Sequence, residues 1–215
     1  SISDGIRILK EGETGNTRPV LREEILDNPN AVFFIYPGFE VSQTWGRSWP
    51  PCNEEFERFG RRVSDLVFRK GTETEGKTFI KPNMVGVPRE AGRSWNTAGI
   101  VHPNFTVGLV DGLRDIGNSN VAISTRGATR HEHLAANGML DLFNEHKLPI
   151  IEAHVQYFKD YKRSELQYFD NPEALVQRRI YVYRPVFEKD TTFINIAHAH
   201  THKVGYTTLC LKNLQ

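Results

Sequence analysis

Short β-branched or aromatic runs alternate along this chain with longer stretches whose apolar residues recur every three or four positions. That alternation is the strongest constraint on its fold. Ala31 to Tyr36 is an aromatic and β-branched run closed by Pro37-Gly38, and it reads as a buried strand. From Asn53 to Lys70 the residues Phe56, Phe59, Val63, Leu66 and Val67 keep helical spacing, with Asn53 as N-cap and Glu54 and Glu55 in the first turn. Such a helix is expected to bury Phe56, Phe59, Val63 and Val67. Thr78 to Lys81 is a strand stopped by Pro82, and Phe105 to Ile116 a helix ended by Gly117. Val121 to Ser124 is a strand, Leu134 to His146 a helix, and Pro149 to Val155, Ile180 to Tyr183 and Phe193 to Ala197 are further strands. Strands separated by helices need right-handed crossovers and give a mainly parallel sheet. The expected fold is therefore a single α/β domain: a mainly parallel central sheet with helices on both faces, in three layers. Residues 1–30 read as a polar lead-in with one short helix near Leu21 to Leu26, and residues 31–215 as the domain. The glycine- and proline-broken stretch from Asn83 to Pro103 reads as a long loop, a kind of segment that is usually either functional or disordered.

Charge and composition remove several classes of function. Among 215 residues, Lys and Arg total 27 against 26 Asp and Glu, for a formal net charge of +1. No long-range field gathers nucleic acid, so a nucleic-acid partner is not expected. No apolar run approaches the roughly 20 residues of a membrane-spanning helix. Ser1 to Lys10 lacks the apolar centre of a signal peptide. A soluble protein is expected, its compartment left open, with export of a processed form compatible. The two cysteines, Cys52 and Cys210, exclude an iron–sulfur cluster held by this chain's thiolates alone.

The most unusual local feature is His198-Ala199-His200-Thr201-His202, directly after the apolar run Phe193 to Ala197. If one strand persists to His202, its period of two sends all three imidazoles to one face. Neutral imidazoles so arranged suit a divalent zinc, iron or nickel ion. Hydrogen-bonded histidines lining a polar cleft are the alternative. His102, at the end of the long loop, and Glu152 with His154 are the supporting candidates, whereas His131 and His133 diverge near a helix start. Lys81-Pro82-Asn83 closes a strand, and the carboxyl ends of strands are where open α/β sheets bind ligands. A lysine there can pair with a carboxylate or phosphate, or serve catalysis if desolvated. Ser124-Thr125-Arg126-Gly127 follows another strand and offers hydroxyls and a guanidinium to an anion. No phosphate-loop, dinucleotide or serine-hydrolase signature occurs.

These pieces together resemble one family. Lys81-Pro82-Asn83, His102-Pro103, the helical run Thr106 to Gly117, and the tail of Ile194-Asn195-Ile196, His198 to His202 and Thr208-Leu209-Cys210-Leu211-Lys212-Asn213 are similar to the domain-of-unknown-function family 362. The resemblance spans about Phe79 to Leu214. It implies Lys81, Asn83, His102, Thr201, His202, Lys212 and Asn213 as site positions. Relatives commonly carry lysines where this chain has His198 and His200, so an anion-binding lysine pair is replaced by imidazoles. Many relatives also carry an iron–sulfur segment, for which this chain lacks the cysteines. Relatives usually continue past the motif at Lys212-Asn213, which implies a domain within a longer chain.

The function expected is a metal-dependent enzyme acting on a small polar or anionic molecule. His198, His200, His202 and His102 would hold the ion; Lys81, Asn83 and Lys212 would serve catalysis; Arg126, Thr201 and Asn213 would bind substrate. The alternative is a non-catalytic metal- or anion-binding module, or a structural subunit, serving a redox or assembly partner.

Overall fold

In the computed structural model, the described residues are 21–28, 35–39, 53–70, 76–84, 100–125, 131–152, 166–170, 172–173, 178–183, 188, 190–197, 200–202 and 206–208. In chain order the elements are α1 (Glu23–Leu26), α2 (Asn53–Val67), β1 (Lys77–Pro82), α3 (Pro103–Asp115), β2 (Val121–Thr125), α4 (His131–Ala136), α5 (Met139–Glu145), β3 (Ile150–Glu152), β4 (Leu166–Asp170), β5 (Arg179–Tyr183), β6 (Thr191–Ile196), β7 (His200–His202) and β8 (Tyr206–Thr208). Four of the strands form a parallel sheet in the order β3-β2-β1-β6. The chain steps from β1 to β2 to β3 in one direction, then returns to lay β6 on the far side of β1. The winding therefore reverses between β1 and β6.

Period-two alternation explains how the sheet is covered. Ile80, Val121 and Ile123 face a cluster that includes Val107, Val110 and Leu113 of α3, Leu134 of α4, and Met139 and Phe143 of α5. Phe79, Lys81, Ala122 and Ser124 point to the opposite face and are also buried. Both faces are thus covered, as expected of a three-layer α/β protein. The end of α3 is a glycine-capped turn: Gly117 takes φ 104, its N–H bonds to Arg114 O at 2.9 Å, and the Asn118 N–H reaches Leu113 O at 2.9 Å.

Helix α2 packs on α3 through small residues. Gly60 and Ser64 are its buried positions, whereas Phe56, Phe59, Val63 and Val67 are only half-buried. The apolar face expected from helical spacing is therefore a rim, and the backbones meet at the centre. A Cβ on Gly60 would strike the carbonyl oxygen of Phe105, and one on Gly108 the carbonyl oxygen of Glu57. One on Gly112 would lie 2.7 Å from the Ser64 Cβ. The Ser64 hydroxyl uses this closeness to donate to Leu109 O at 2.7 Å.

Other expectations need correction. The expected strand at Ala31 to Tyr36 lies outside the described residues through position 34, while Ile35 and Tyr36 are not in a strand and Tyr36 is 75% exposed. The expected helix from Leu134 to His146 is two helices, because Gly138 adopts φ 72 at the start of α5 and breaks the turn. Ile180 to Tyr183 is a strand, but it pairs antiparallel with β4 in its own two-stranded sheet rather than joining the central one. That pairing ends on Asp170 opposite Arg179, whose Nε donates to the carboxylate at 2.7 Å and whose guanidinium lies over the Tyr168 ring. The last three residues of the expected strand Pro149 to Val155 lie outside the described residues.

Two predictions follow from this packing. In an open helix Gly108→Ala would stabilise by about 1 kcal/mol. Here it is expected to destabilise by about 1–3 kcal/mol, because the backbone of α2 must retreat. Urea unfolding measures the sign, and a raised midpoint would show that the helices separate freely. At the hairpin, the hydrogen bond from Arg179 holds the Asp170 carboxyl below its ordinary value; desolvation opposes this, and the Arg179 charge adds to the lowering. A lowered folded-state value means the contact stabilises above the unfolded value and is lost as pH falls through the folded one. Arg179→Gln should return the Asp170 titration, followed by NMR, to the ordinary range.

Candidate functional site

The carboxyl end of β1 is where sequence and topology converge. Lys77 to Pro82 runs in register with Thr191 to Ile196, which sets Lys81 beside Asn195 and Pro82 beside Ile196. On the other side Ile80 pairs with Ile123, so Ser124 is the next residue of β2 at the level of Lys81. Lys81, Asn195 and Ser124 thus occupy adjacent positions on one face. Lys81 is 9% exposed, a deep setting for an ammonium. After Pro82 the chain stays tied down. The Asn83 N–H donates to Ile196 O at 2.8 Å, Asn83 O accepts from the Val101 N–H at 2.8 Å, and Met84 forms an antiparallel bridge with Ile100. Asn83 is buried as well. Both ends of the long loop are therefore fastened to the same strand end.

These bonds carry the chain directly into α3. His102 is the N-cap: its Nδ1 accepts from the Asn104 N–H at 3.3 Å, and Pro103 occupies the first helical position, where a missing N–H costs nothing. The imidazole stacks on Phe56 of α2, with ring centroids 4.0 Å apart and planes within 10°. Phe56 is in turn met edge-on by Phe39 at 5.2 Å. The positive end of α3's dipole consequently lies on the same side of the sheet as the end of β1.

The other expected site residues divide into two groups. His200, Thr201 and His202 form β7, paired antiparallel with Thr208, Thr207 and Tyr206, so His200 and His202 are alternate residues of one strand. The unbroken strand from Phe193 to His202 does not form: β6 ends at Ile196, and β7 belongs to a separate two-stranded sheet. Glu152 registers with Thr125 at the end of β3, on the same edge of the sheet. His198, Arg126, His154, Lys212 and Asn213 lie outside the described residues. Lys81, Asn83 and His102 are brought together by backbone hydrogen bonds. Sequence reasoning had Ser124 in a separate anion-binding segment, and missed Asn195 and Phe56 as neighbours of this group. A polar residue between two isoleucines at Asn195 was the available signal.

One further group of donors occurs among the described residues. Glu57, Asp111 and His146 each present a ligand atom within 4.8 Å of the others. Asp111 is already engaged: it accepts from Arg61 at 3.2 Å and from Arg114 at 3.2 Å, and contacts His146 Nδ1 at 2.8 Å. Arg61 also pairs with Asp115, and Arg114 donates to the carbonyls of His146 and Lys147 at 2.6 and 2.9 Å. Two guanidinium groups on one carboxylate oppose a divalent cation. The group is a clamp that fixes the end of α5 against α3.

An open, parallel α/β sheet with a reversal of winding beside a buried lysine defines the class: an α/β protein whose ligand edge, by the general rule for such sheets, is the carboxyl end of its strands. Residues 78–215 match the family model described as domain of unknown function (DUF362), and the chain belongs to that family. The match begins within β1 and takes in every later element, whereas α2, which supplies the Phe56 stack, precedes it. No curated protein and no solved structure matches the chain. Among the described residues, no helix is long and apolar enough to cross a membrane.

The clamp generates its own test. Asp111→Asn removes the charge that two arginines share and should cost about 2 kcal/mol of stability in urea unfolding. Added zinc should raise the melting temperature equally in the wild-type chain and in this variant. A zinc-dependent rise lost on substitution would make the group a metal site instead.

Proposed function

We propose that the chain is a metal-dependent enzyme acting on a small anionic substrate, held at the carboxyl ends of β1 and β6. The observation that carries this reading is Lys81, a residue 9% exposed at the end of the central strand, beside the point where the winding reverses. That place favours a carboxylate or phosphate ligand, whose charge the lysine would neutralise. Asn83, gripped through both its backbone groups, is suited to hold an amide in a fixed orientation toward such a ligand. Arg126 and Lys212 would add positive charge, and Thr201 and Asn213 hydrogen-bonding groups. His198, His200 and His202 would hold a divalent zinc, iron or nickel ion. The alternate placement of His200 and His202 on β7 supports that assignment. When bound, the ion would polarise a carbonyl or activate a water.

Calorimetry with inorganic phosphate and with a small dicarboxylate, on zinc-loaded protein, tests the anion site. Lys81→Met should weaken binding about tenfold or more. Lys70→Met, on an exposed residue, should leave it unchanged. Equal affinity in a folded Lys81→Met protein would defeat the reading.

The metal is tested separately. Replacing His198 and His200 together by the lysines common in the family should abolish metal content by elemental analysis while preserving the fold, because an ammonium has no lone pair to give. Stoichiometric metal in that variant would remove these histidines as ligands. Anion binding without turnover across a substrate screen would leave a binding module for a redox or assembly partner.

A further inference from the structure

His102 is the histidine of the expected site whose ring environment is described, and its hydrogen bonding specifies its chemistry. A ring nitrogen that accepts a hydrogen bond carries no proton. Nδ1 accepts from the backbone N–H of Asn104, an arrangement that needs its lone pair and leaves Nε2 to carry the ring proton. The stack on Phe56, with planes 10° apart, resists the half-turn of the ring that would exchange the positions of its edges. Cap and stack come from different helices, α3 and α2, and they agree on one orientation.

We infer that His102 carries its ring proton on Nε2 and is not a ligand of the metal ion. Ligation through Nε2 needs the lone pair that the proton occupies. Moving that proton to Nδ1 would turn it against the Asn104 N–H and break the cap of α3. Ligation through Nδ1 would likewise displace that N–H. Either route opens the first turn of a helix whose residues Thr106, Val107 and Val110 are fully buried. His102 is accordingly a residue that holds the start of α3 at the strand end rather than one that holds the ion. Its exclusion from the metal rests on the metal reading above; its tautomer does not.

The test uses the full chain labelled with nitrogen-15. A long-range proton–nitrogen correlation should show His102 with a protonated Nε2 and an unprotonated, accepting Nδ1 at neutral pH. Titration with zinc alone should leave both His102 nitrogens unshifted. His102→Asn keeps a side chain able to cap the helix but removes the imidazole. It should bind as many equivalents of zinc as the wild-type chain. A protonated Nδ1, a zinc-induced shift of either His102 nitrogen, or the loss of one zinc equivalent in a folded His102→Asn protein would each overturn the inference. If the wild-type chain takes up no zinc, the metal reading of the function fails while the tautomer still decides the role of His102.

Discussion

The pairing of β1 with β6 is the interaction on which the rest of the molecule depends. β1 has a parallel neighbour on each side, and the one at β6 arrives only after β2, β3 and the β4–β5 hairpin have been made. Six consecutive register pairs join the two strands from Lys77↔Thr191 to Pro82↔Ile196. This ladder buries Lys81 beside Asn195, places the reversal of winding at the end of β1, and delivers the chain from Ile196 into the histidine segment. A pairing so distant in sequence carries a large loop-closure entropy, which its six register pairs must offset.

The second constraint acts through α3. Its amino end is fixed by the His102 cap and the Phe56 stack, its middle by the close approach of Gly108 and Gly112 to α2, and its carboxyl end by the Asp111 and Arg114 clamp on α5. The three fastenings differ in chemistry, but each holds the helix at a set height over the sheet. Because Asn83 O accepts from the Val101 N–H, that height also decides where His102 meets the end of β1. Glycine is essential to this arrangement: any larger side chain at position 60 or 108 would push α2 away and carry the Phe56 ring with it.

Local signals in the chain were a good guide wherever one residue's chemistry decides the outcome. Pro82 ends β1, Gly117 ends α3 in a left-handed turn, and the β-branched runs at Val121 and Phe193 are strands. They were a poor guide wherever the outcome depends on what lies opposite. The spacing of Phe56, Phe59, Val63 and Val67 marks a helix correctly but not its deepest residues, since Gly60 and Ser64 are buried by the backbone of α3. Ile180 to Tyr183 looks like any other strand until its partner proves to be β4. Gly138 inside an apolar pattern gives no sign by itself that it will turn left-handed.

By itself the sequence determined the α/β class, the parallel sheet, the strand-end position of Lys81-Pro82-Asn83 and the family, because periodicity and ordered motifs are properties of the chain. Tertiary structure alone decided that Asn195 and Ser124 flank Lys81, that β7 leaves the line of β6 to pair with β8, and that His102 spends one nitrogen on capping a helix. The physical reason is common to all three. Strand register and the tautomer of a histidine are set by the hydrogen-bonding partner, which a residue's own identity does not specify.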